Sequence, residues 1–464
     1  MASSRRIKSV AVIGAGAAGL AVARRLMDVF EVVVFEKASR AGGTWDFTAE
    51  QSSDVHSSMY KDMHTNLPKQ IMAFPGFPFT QGKESFPHHT DVQAYLEAFA
   101  EHFHINDITK YNTVVDRITF SGSDTAAAPR PAGHSQHEGA VVDDASTKAQ
   151  EAQGEHVQPG PWSVTSTNLK SGSTETRLFD AVCVCNGHYA KPIIPRLPGL
   201  DGFKGELLHS HTYRERAPFA SKRVVCLGGG QSGRDISQEL CTVSSRVVLS
   251  HRVPRRLGED PLIEKPPITA IHEDGTSVEF EDGSVEENID AIIMCTGYEF
   301  TFPFLDPTCR VTVSEDGRNV HNLYMQVFNM DHPSMAFIGL PVKVLPFPLF
   351  DIQCKWVQRV WAHEAALPST PAMREEMRAA ETALRAEGIP EKYNHVLAER
   401  QWAYNDAVAS RAGVPSMEPW RVEMYLKTGE LRVQMPWHYK LTAFDLRDDG
   451  TWTVKPYDRS QDAS

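Results

Sequence analysis

Apolar residues first gather in SVAVIG (9–14), give way to AGAAG (15–19), and return with helical spacing in LAVARRLMDVF (20–30). A second apolar run, EVVVFEK (31–37), closes the pattern. Strand, glycine loop, helix and strand in this order predict a βαβ unit and a parallel sheet. The same order recurs in KRVVCLGGGQSG (222–233), RDISQELCTV (234–243) and SRVVLSHR (245–252). Two such units predict an α/β fold with two Rossmann-like dinucleotide-binding domains.

Elsewhere the periodicity is more local. TDVQAYLEAFAEHF (90–103) places Val92, Tyr95, Leu96, Phe99 and Phe103 on one helical face, with Thr90 or Asp91 as cap. TVVDRITF (113–120) and GPWSVTST (160–167) read as neighbouring strands of a small sheet. Between them, residues 121–160 carry almost no large apolar side chain and predict a disordered surface loop. The stretch from Phe350 to Arg411 reads as mainly helical, and DAIIMCTGYEF (290–300) as a strand and turn. FKGELLHSHTY (203–213) shows neither helical nor strand periodicity.

Composition narrows the class. A chain of 464 residues with 41% hydrophobic and 23% charged residues predicts a globular enzyme of two or three domains. Its formal charge of −12 argues against nucleic acid or an anionic membrane as partner. No apolar run approaches the ~20 residues of a membrane span, and MASSRRIKSV lacks a signal core, so a cytoplasmic protein without a membrane anchor is expected. A homodimer is compatible with this picture. Seven cysteines form no C-x-x-C pair; Cys183 and Cys185 face one side of a strand as small buried side chains.

The glycine loops carry the chemistry. Gly14-Ala15-Gly16-Ala17-Ala18-Gly19 permits a tight turn and close approach of backbone to a pyrophosphate at a helix N-terminus. Glu36, at the end of the second strand, suits a ribose diol. The second loop, Gly228-Gly229-Gly230-Gln231-Ser232-Gly233, leads instead to Ser250-His251-Arg252, with no carboxylate. Arg252, helped by Arg255 and Arg256, would pair a 2′-phosphate, so NADP is expected over NAD. This order predicts a flavin domain (1–215 and 331–464) interrupted by an NADPH domain (216–330), with the Cys295–Tyr298 turn close to the flavin. The absence of a redox cysteine pair excludes disulfide reduction and leaves oxygen as electron acceptor.

Phe203-x-Gly205-x-x-x-His209-x-x-x-Tyr213 resembles the signature of the flavin-containing monooxygenases at every defined position. So do Gly228-x-Gly230-x-Ser232-Gly233, the segment Tyr60 to Met72, FPGFPF (74–79), CNGHY (185–189), LPGLDGF (197–203) and FIGLP with PFPLFDIQCKWV (337–357). The resemblance is strongest to the branch containing plant glucosinolate S-oxygenases and fungal relatives. It implies an FAD- and NADPH-dependent monooxygenase that uses O2 through a 4a-hydroperoxyflavin to oxidise a soft heteroatom of a small molecule, thioether sulfur first and amine nitrogen next. By the same resemblance Asn66 is the catalytic residue; Gly14 to Ala18, Glu36, Thr44, Trp45, Asn66 and Leu67 contact FAD, with Gln353 nearby. Thr65, Asn66 and the Ser232-Gly233-Arg234-Asp235 turn contact NADP(H), and no metal is needed. Phe74, Phe77, Phe79, Phe347 and Phe350 read as pocket lining or equally as core. His209 and the rest of the 203–213 signature read as a structural hinge. Baeyer–Villiger ketone oxygenation, whose signature ends in tryptophan where Tyr213 stands, and a non-catalytic NADPH/FAD sensor are the rival readings.

Overall fold

The computed structural model describes residues 6–49, 57–122, 154–253 and 262–455. Its first sheet has seven strands in the order Leu323–Tyr324, Phe328–Asn329, Met335–Phe337, Ala181–Val184, Ser9–Ile13, Glu31–Phe35 and Thr109–Lys110. The second has five, all parallel: Leu262–Lys265, Arg246–Ser250, Arg223–Leu227, Ala291–Met294 and Glu206–His209. Central strands of both are β-branched and buried on two faces, as Val10, Val12, Val224 and Val225 show at 0% exposure. The helices Ala17–Leu26 and Gln231–Leu240 follow the two glycine loops. The α/β fold with two Rossmann-like units is therefore as the hydrophobic pattern predicts.

Cys183 and Cys185 enter the core on one face of the first sheet with Val10, Leu20 and Trp356, while Val182 and Val184 enter the other with Phe179 and Phe337. Thr113–Phe120 and Trp162–Asn168 pair antiparallel in a separate three-stranded sheet. The C-terminal third supplies the helices Pro346–Trp361, Thr370–Ala386, Gln401–Ala412 and Pro419–Gln434.

Several expectations need correction. FKGELLHSHTY contains the strand Glu206–His209, an edge of the second sheet. Of the strand's two leucines, Leu208 packs against a core cluster while Leu207 is 40% exposed, so the pattern carries no alternation. The second sheet thus begins before residue 216. Phe300 and Phe304 pack with the first sheet's core, and Leu323–Tyr324 is its edge, so that sheet is rejoined before residue 331. The helix near residue 90 is His89–His102, capped by the His88 side chain, which accepts from the Thr90 amide; neither Thr90 nor Asp91 is the cap. Most of the predicted 121–160 loop lies outside the described residues. Its end does not fit that reading: Val157 is buried, Glu155 pairs with Leu367, and His156 stacks on His363.

Candidate functional site

The two glycine loops are geometric twins. Gly14 has φ +103° and Gly228 φ +120°, a region that excludes most side chains. The amide of each donates to the end of the neighbouring strand, Gly14 to Phe35 O and Gly228 to Ser250 O, both at 2.8 Å. A Cβ on Gly19 would lie 1.8 Å from Gly14 O, and one on Gly233 would lie 1.8 Å from Gly228 O. Beneath each loop sits a buried cysteine: Cys185 O faces Gly14 and Cys295 O faces Gly228, at 2.7 and 2.4 Å from a built Cβ. Cys295, which opens the Cys295–Tyr298 turn, therefore underlies the second loop, while Thr296 Oγ1 donates to Ile193 O and Tyr298 packs edge-on against Tyr189, just after Cys185 in the chain. Both helices begin at an extended glycine, Gly16 or Gly230, with no side-chain cap. Their first amides are left to receive an anion.

The first loop gathers most of its predicted partners. Gly42 donates to Ala15 O at 3.0 Å and Gly43 closes on Gly16, so the short helix Gly43–Trp45 lies against the loop. The Thr44 hydroxyl is buried without a hydrogen-bond partner, an unfilled polar position that suits a bound cofactor. Glu36 is buried and accepts from the amides of Ala15 (2.6 Å) and Ala38 (2.7 Å), which fixes its carboxylate at the loop. Ala17 and Ala18 open the helix; Gly339 stands 3.5 Å from Ala18 Cβ, measured from its built Cβ. Gln353 is wholly buried and accepts from the Gly339 amide at 3.3 Å, while its NH2 donates to the Tyr404 hydroxyl at 2.8 Å. Its amide thus shapes the wall beside Ala18. These features fit a dinucleotide such as FAD.

At the second loop, Ser232 is exposed at the mouth, Arg234 Nε donates to Gly229 O (3.2 Å), and Asp235 accepts from Gln231 (2.9 Å). Arg252 lies on the surface with its guanidinium 5.9 Å from the Tyr393 ring centroid. Arg252 also lowers the Tyr393 phenol against the opposing effect of burial, which is the largest contribution. Arg255 and Arg256 lie outside the described residues. The strand end Ser250-His251-Arg252 carries no carboxylate of its own; Glu264, from the adjacent strand, is 3.3 Å from His251, both side chains being under a tenth exposed. The exposed guanidinium, not the buried acid, is presented at the strand end, which fits a 2′-phosphate.

The Thr65–Leu67 segment is fixed from outside. Thr65 is buried, its hydroxyl donating to Leu67 O (2.8 Å) and its amide to Pro87 O (3.0 Å). Arg432 donates to Asn66 O at 2.7 Å, Lys440 to His64 O at 3.1 Å, and Arg421 to Ile71 O at 2.7 Å. The Asn66 carboxamide is half-buried and has no hydrogen-bond partner among the described residues. Arg421, Arg432, Tyr393 and Lys440 carry no local signal in sequence; each reaches the site from the C-terminal third.

Phe74 and Phe347 stack at 4.9 Å, and Phe79 stacks on Tyr95 at 3.7 Å. With Phe77 on Phe99 they form core between the helices His89–His102 and Pro346–Trp361. Phe350 alone of the five abuts Gly339 beside the first loop. His209 is buried, and burial, with His211 beside it, pushes its imidazole down to about 4. Its Nδ1 accepts from the His211 amide at 3.0 Å, which suits a structural role. Among the described residues no cluster of His, Cys, Asp and Glu could hold a metal.

Glu239, on the helix after the second loop, lies against Tyr213 and Asp62. Burial, then the Asp62 charge, raises its carboxyl to about 7, with Arg216 opposing. A carboxyl raised in the folded state holds its proton more tightly there, so stability falls as pH rises from the usual carboxylate range to 7. Glu239→Gln removes this loss. Thermal melts should show the variant a few degrees above the unsubstituted enzyme at about pH 8 and level with it at about pH 5. An equal shift at both pH values would contradict the assignment.

The chain matches the flavin-binding monooxygenase-like family over residues 7–144, 144–259 and 253–453. It is 35% identical to the flavin-containing monooxygenase FMO GS-OX-like 4 of Arabidopsis thaliana over 464 residues, 94% of each chain. FMO GS-OX3 of the same plant is 34% identical over 89% of this chain and 86% of that one. Among solved structures, S-allyl-L-cysteine S-oxygenase from Allium sativum superposes with a TM-score of 0.81 at 34% identity, covering 95% of this chain and 96% of that one. Tmm from a Pelagibacter strain superposes at 0.77 with 22% identity, a likeness of fold alone. No helix among the described residues is long and apolar enough to cross a membrane. With twin dinucleotide loops in one fold and this likeness along nearly its whole length, the chain belongs to the flavin-containing monooxygenase family and is an FAD- and NADPH-dependent enzyme.

Proposed function

We propose that the enzyme transfers one oxygen atom from O2 to the sulfur of a small thioether, with an amine nitrogen as the next acceptor. The likeness to an S-oxygenase over nearly the full chain carries this reading. The reaction balances as NADPH, a proton, O2 and a thioether giving NADP+, water and a sulfoxide. Bound FAD, once reduced, supplies the activation of O2.

The chain's residues hold and orient. The Gly14–Gly19 loop, Glu36, Thr44 and Trp45 hold FAD; the Gly228–Gly233 loop, Arg234, Asp235 and Arg252 hold NADPH, the last at its 2′-phosphate. Thr65 fixes the turn that carries Asn66, and Arg432 restrains the Asn66 carbonyl. The carboxamide is thereby free to offer one donor and one acceptor to the reacting oxygen, without a charge that would change its protonation. The lobe built on the first sheet is the flavin lobe, and the lobe built on the second is its nicotinamide insert. All seven cysteines are unpaired, which suits the reducing cytoplasm.

The test is purified protein given NADPH, air and a panel of thioethers, S-allyl-L-cysteine among them, beside tertiary amines, with products read by mass. Thioether products one oxygen heavier, formed in step with NADPH oxidation, are expected. Hydrogen peroxide as the sole product with every thioether would overturn the reading.

A further inference from the structure

The Lys440 ammonium makes two hydrogen bonds that span the molecule. It donates to His64 O at 3.1 Å, two residues before Asn66, and to Asp235 Oδ2 at 3.0 Å, in the helix that follows the second loop. The ion pair is largely shielded, its side chains 23% and 11% exposed. It does not stand alone. Gln231 Nε2, which binds Asp235 at 2.9 Å, also reaches the Tyr439 hydroxyl at 3.3 Å. Gln238 of the same helix donates to Pro436 O at 3.2 Å, and Trp437 packs against that lobe's core. On the other side, Tyr439 packs edge-on against Phe86 at 5.5 Å, within the first sheet's core cluster. The segment from Arg432 to Leu441 is therefore a bridge, with one foot on the Asn66 turn and the other on the second-loop helix.

From this bridge we infer that Lys440 is a positioning residue, holding the Asn66 turn at a set distance from the NADP-binding helix. This rests on the assignment of NADP(H) to the second loop and of Asn66 to the reacting oxygen. The helix starts at Gly230, so a displacement of Asp235 moves the loop amides that face the cofactor. A charged hydrogen bond in a shielded site is stronger than a neutral one, and loss of Lys440 leaves Asp235 Oδ2 without its cation while Gln231 still holds Oδ1. Without the bridge, the turn and the cofactor keep their own supports but lose their mutual register. Oxygen activated at the flavin then escapes as hydrogen peroxide.

The test compares Lys440→Met and Lys440→Arg with the unsubstituted holoenzyme. Four quantities are read: bound FAD by visible absorbance, melting temperature, NADP+ affinity by titration, and hydrogen peroxide released per NADPH oxidised. Lys440→Met should retain FAD, weaken NADP+ by about tenfold, and raise the peroxide fraction several-fold. Lys440→Arg, which keeps a cation in reach of both acceptors, should restore most of the coupling; a purely structural loss would show in melting temperature without that split. Unchanged NADP+ affinity and peroxide release in Lys440→Met would overturn the inference. A defect in NADP+ affinity with full coupling retained would uphold the contact with the helix and overturn the role of the Asn66 turn.

Discussion

Replacing Asn66 with alanine is expected to leave FAD bound and NADPH oxidation running while sulfoxide formation falls by about a hundredfold or more. The separation follows from how the residue is held. Its backbone carbonyl is bound by Arg432, and the flanking Thr65 hydroxyl closes the turn onto Leu67, so the path of the chain does not depend on the carboxamide. No described residue hydrogen-bonds that carboxamide, so its removal leaves no protein group unsatisfied. What is lost is a neutral donor and acceptor at the reacting oxygen, and the electrons then leave as hydrogen peroxide. Asn66→Asp sharpens the test: it keeps the shape, removes the donor and adds a charge, and should fail to rescue coupling near neutral pH. Product and peroxide, each measured per NADPH consumed, check both variants. Sulfoxide formation unchanged in Asn66→Ala would remove Asn66 from the reaction.

What could be seen in advance divides by the range of the interactions. The βαβ units were visible because strand, loop and helix are contiguous, and their glycines answer to contacts within a few residues, as Gly19 does to Gly14 O. Cys183 and Cys185 were readable as core from strand alternation alone. The floor that Cys185 and Cys295 provide under the two loops was not, since each follows a strand far along the chain. Glu206–His209 escaped notice because an edge strand with an exposed Leu207 has no alternation to detect. His88 as a helix cap runs against the usual preference for Ser, Thr, Asp and Asn. The supports of Asn66 were hidden altogether. Arg432 and Lys440 sit among ordinary charged residues of a C-terminal helix and turn, and only the folded chain brings them to residues 64–66.

The twin loops permit a second test with a large effect, in which the same lesion has different consequences. Gly19→Ala would place a Cβ 1.8 Å from Gly14 O, and Gly233→Ala would do the same at Gly228 O. No rotamer relieves either clash, because both the Cβ and the carbonyl are fixed by backbone, so the loop must open. Opening displaces the helix-start amides that would receive the pyrophosphate. In the first loop this should yield protein without flavin, colourless and less stable, since a cofactor bound only to the folded state stabilises it by mass action. In the second, the flavin lobe is untouched: the protein should remain yellow and still be reduced by dithionite, while reduction by NADPH slows by about a hundredfold or more. Visible absorbance of the purified variants and the rate of flavin bleaching with each reductant separate the two cases. Loss of flavin from Gly233→Ala to the same extent as from Gly19→Ala would contradict the division of the cofactors between the loops. The contrast depends on the lobes having separate cores. Ile236 and Leu240 pack with Val224 and Cys226, while Leu20 and Leu26 pack with Val10 and Val12, so strain from one loop is absorbed within its own lobe.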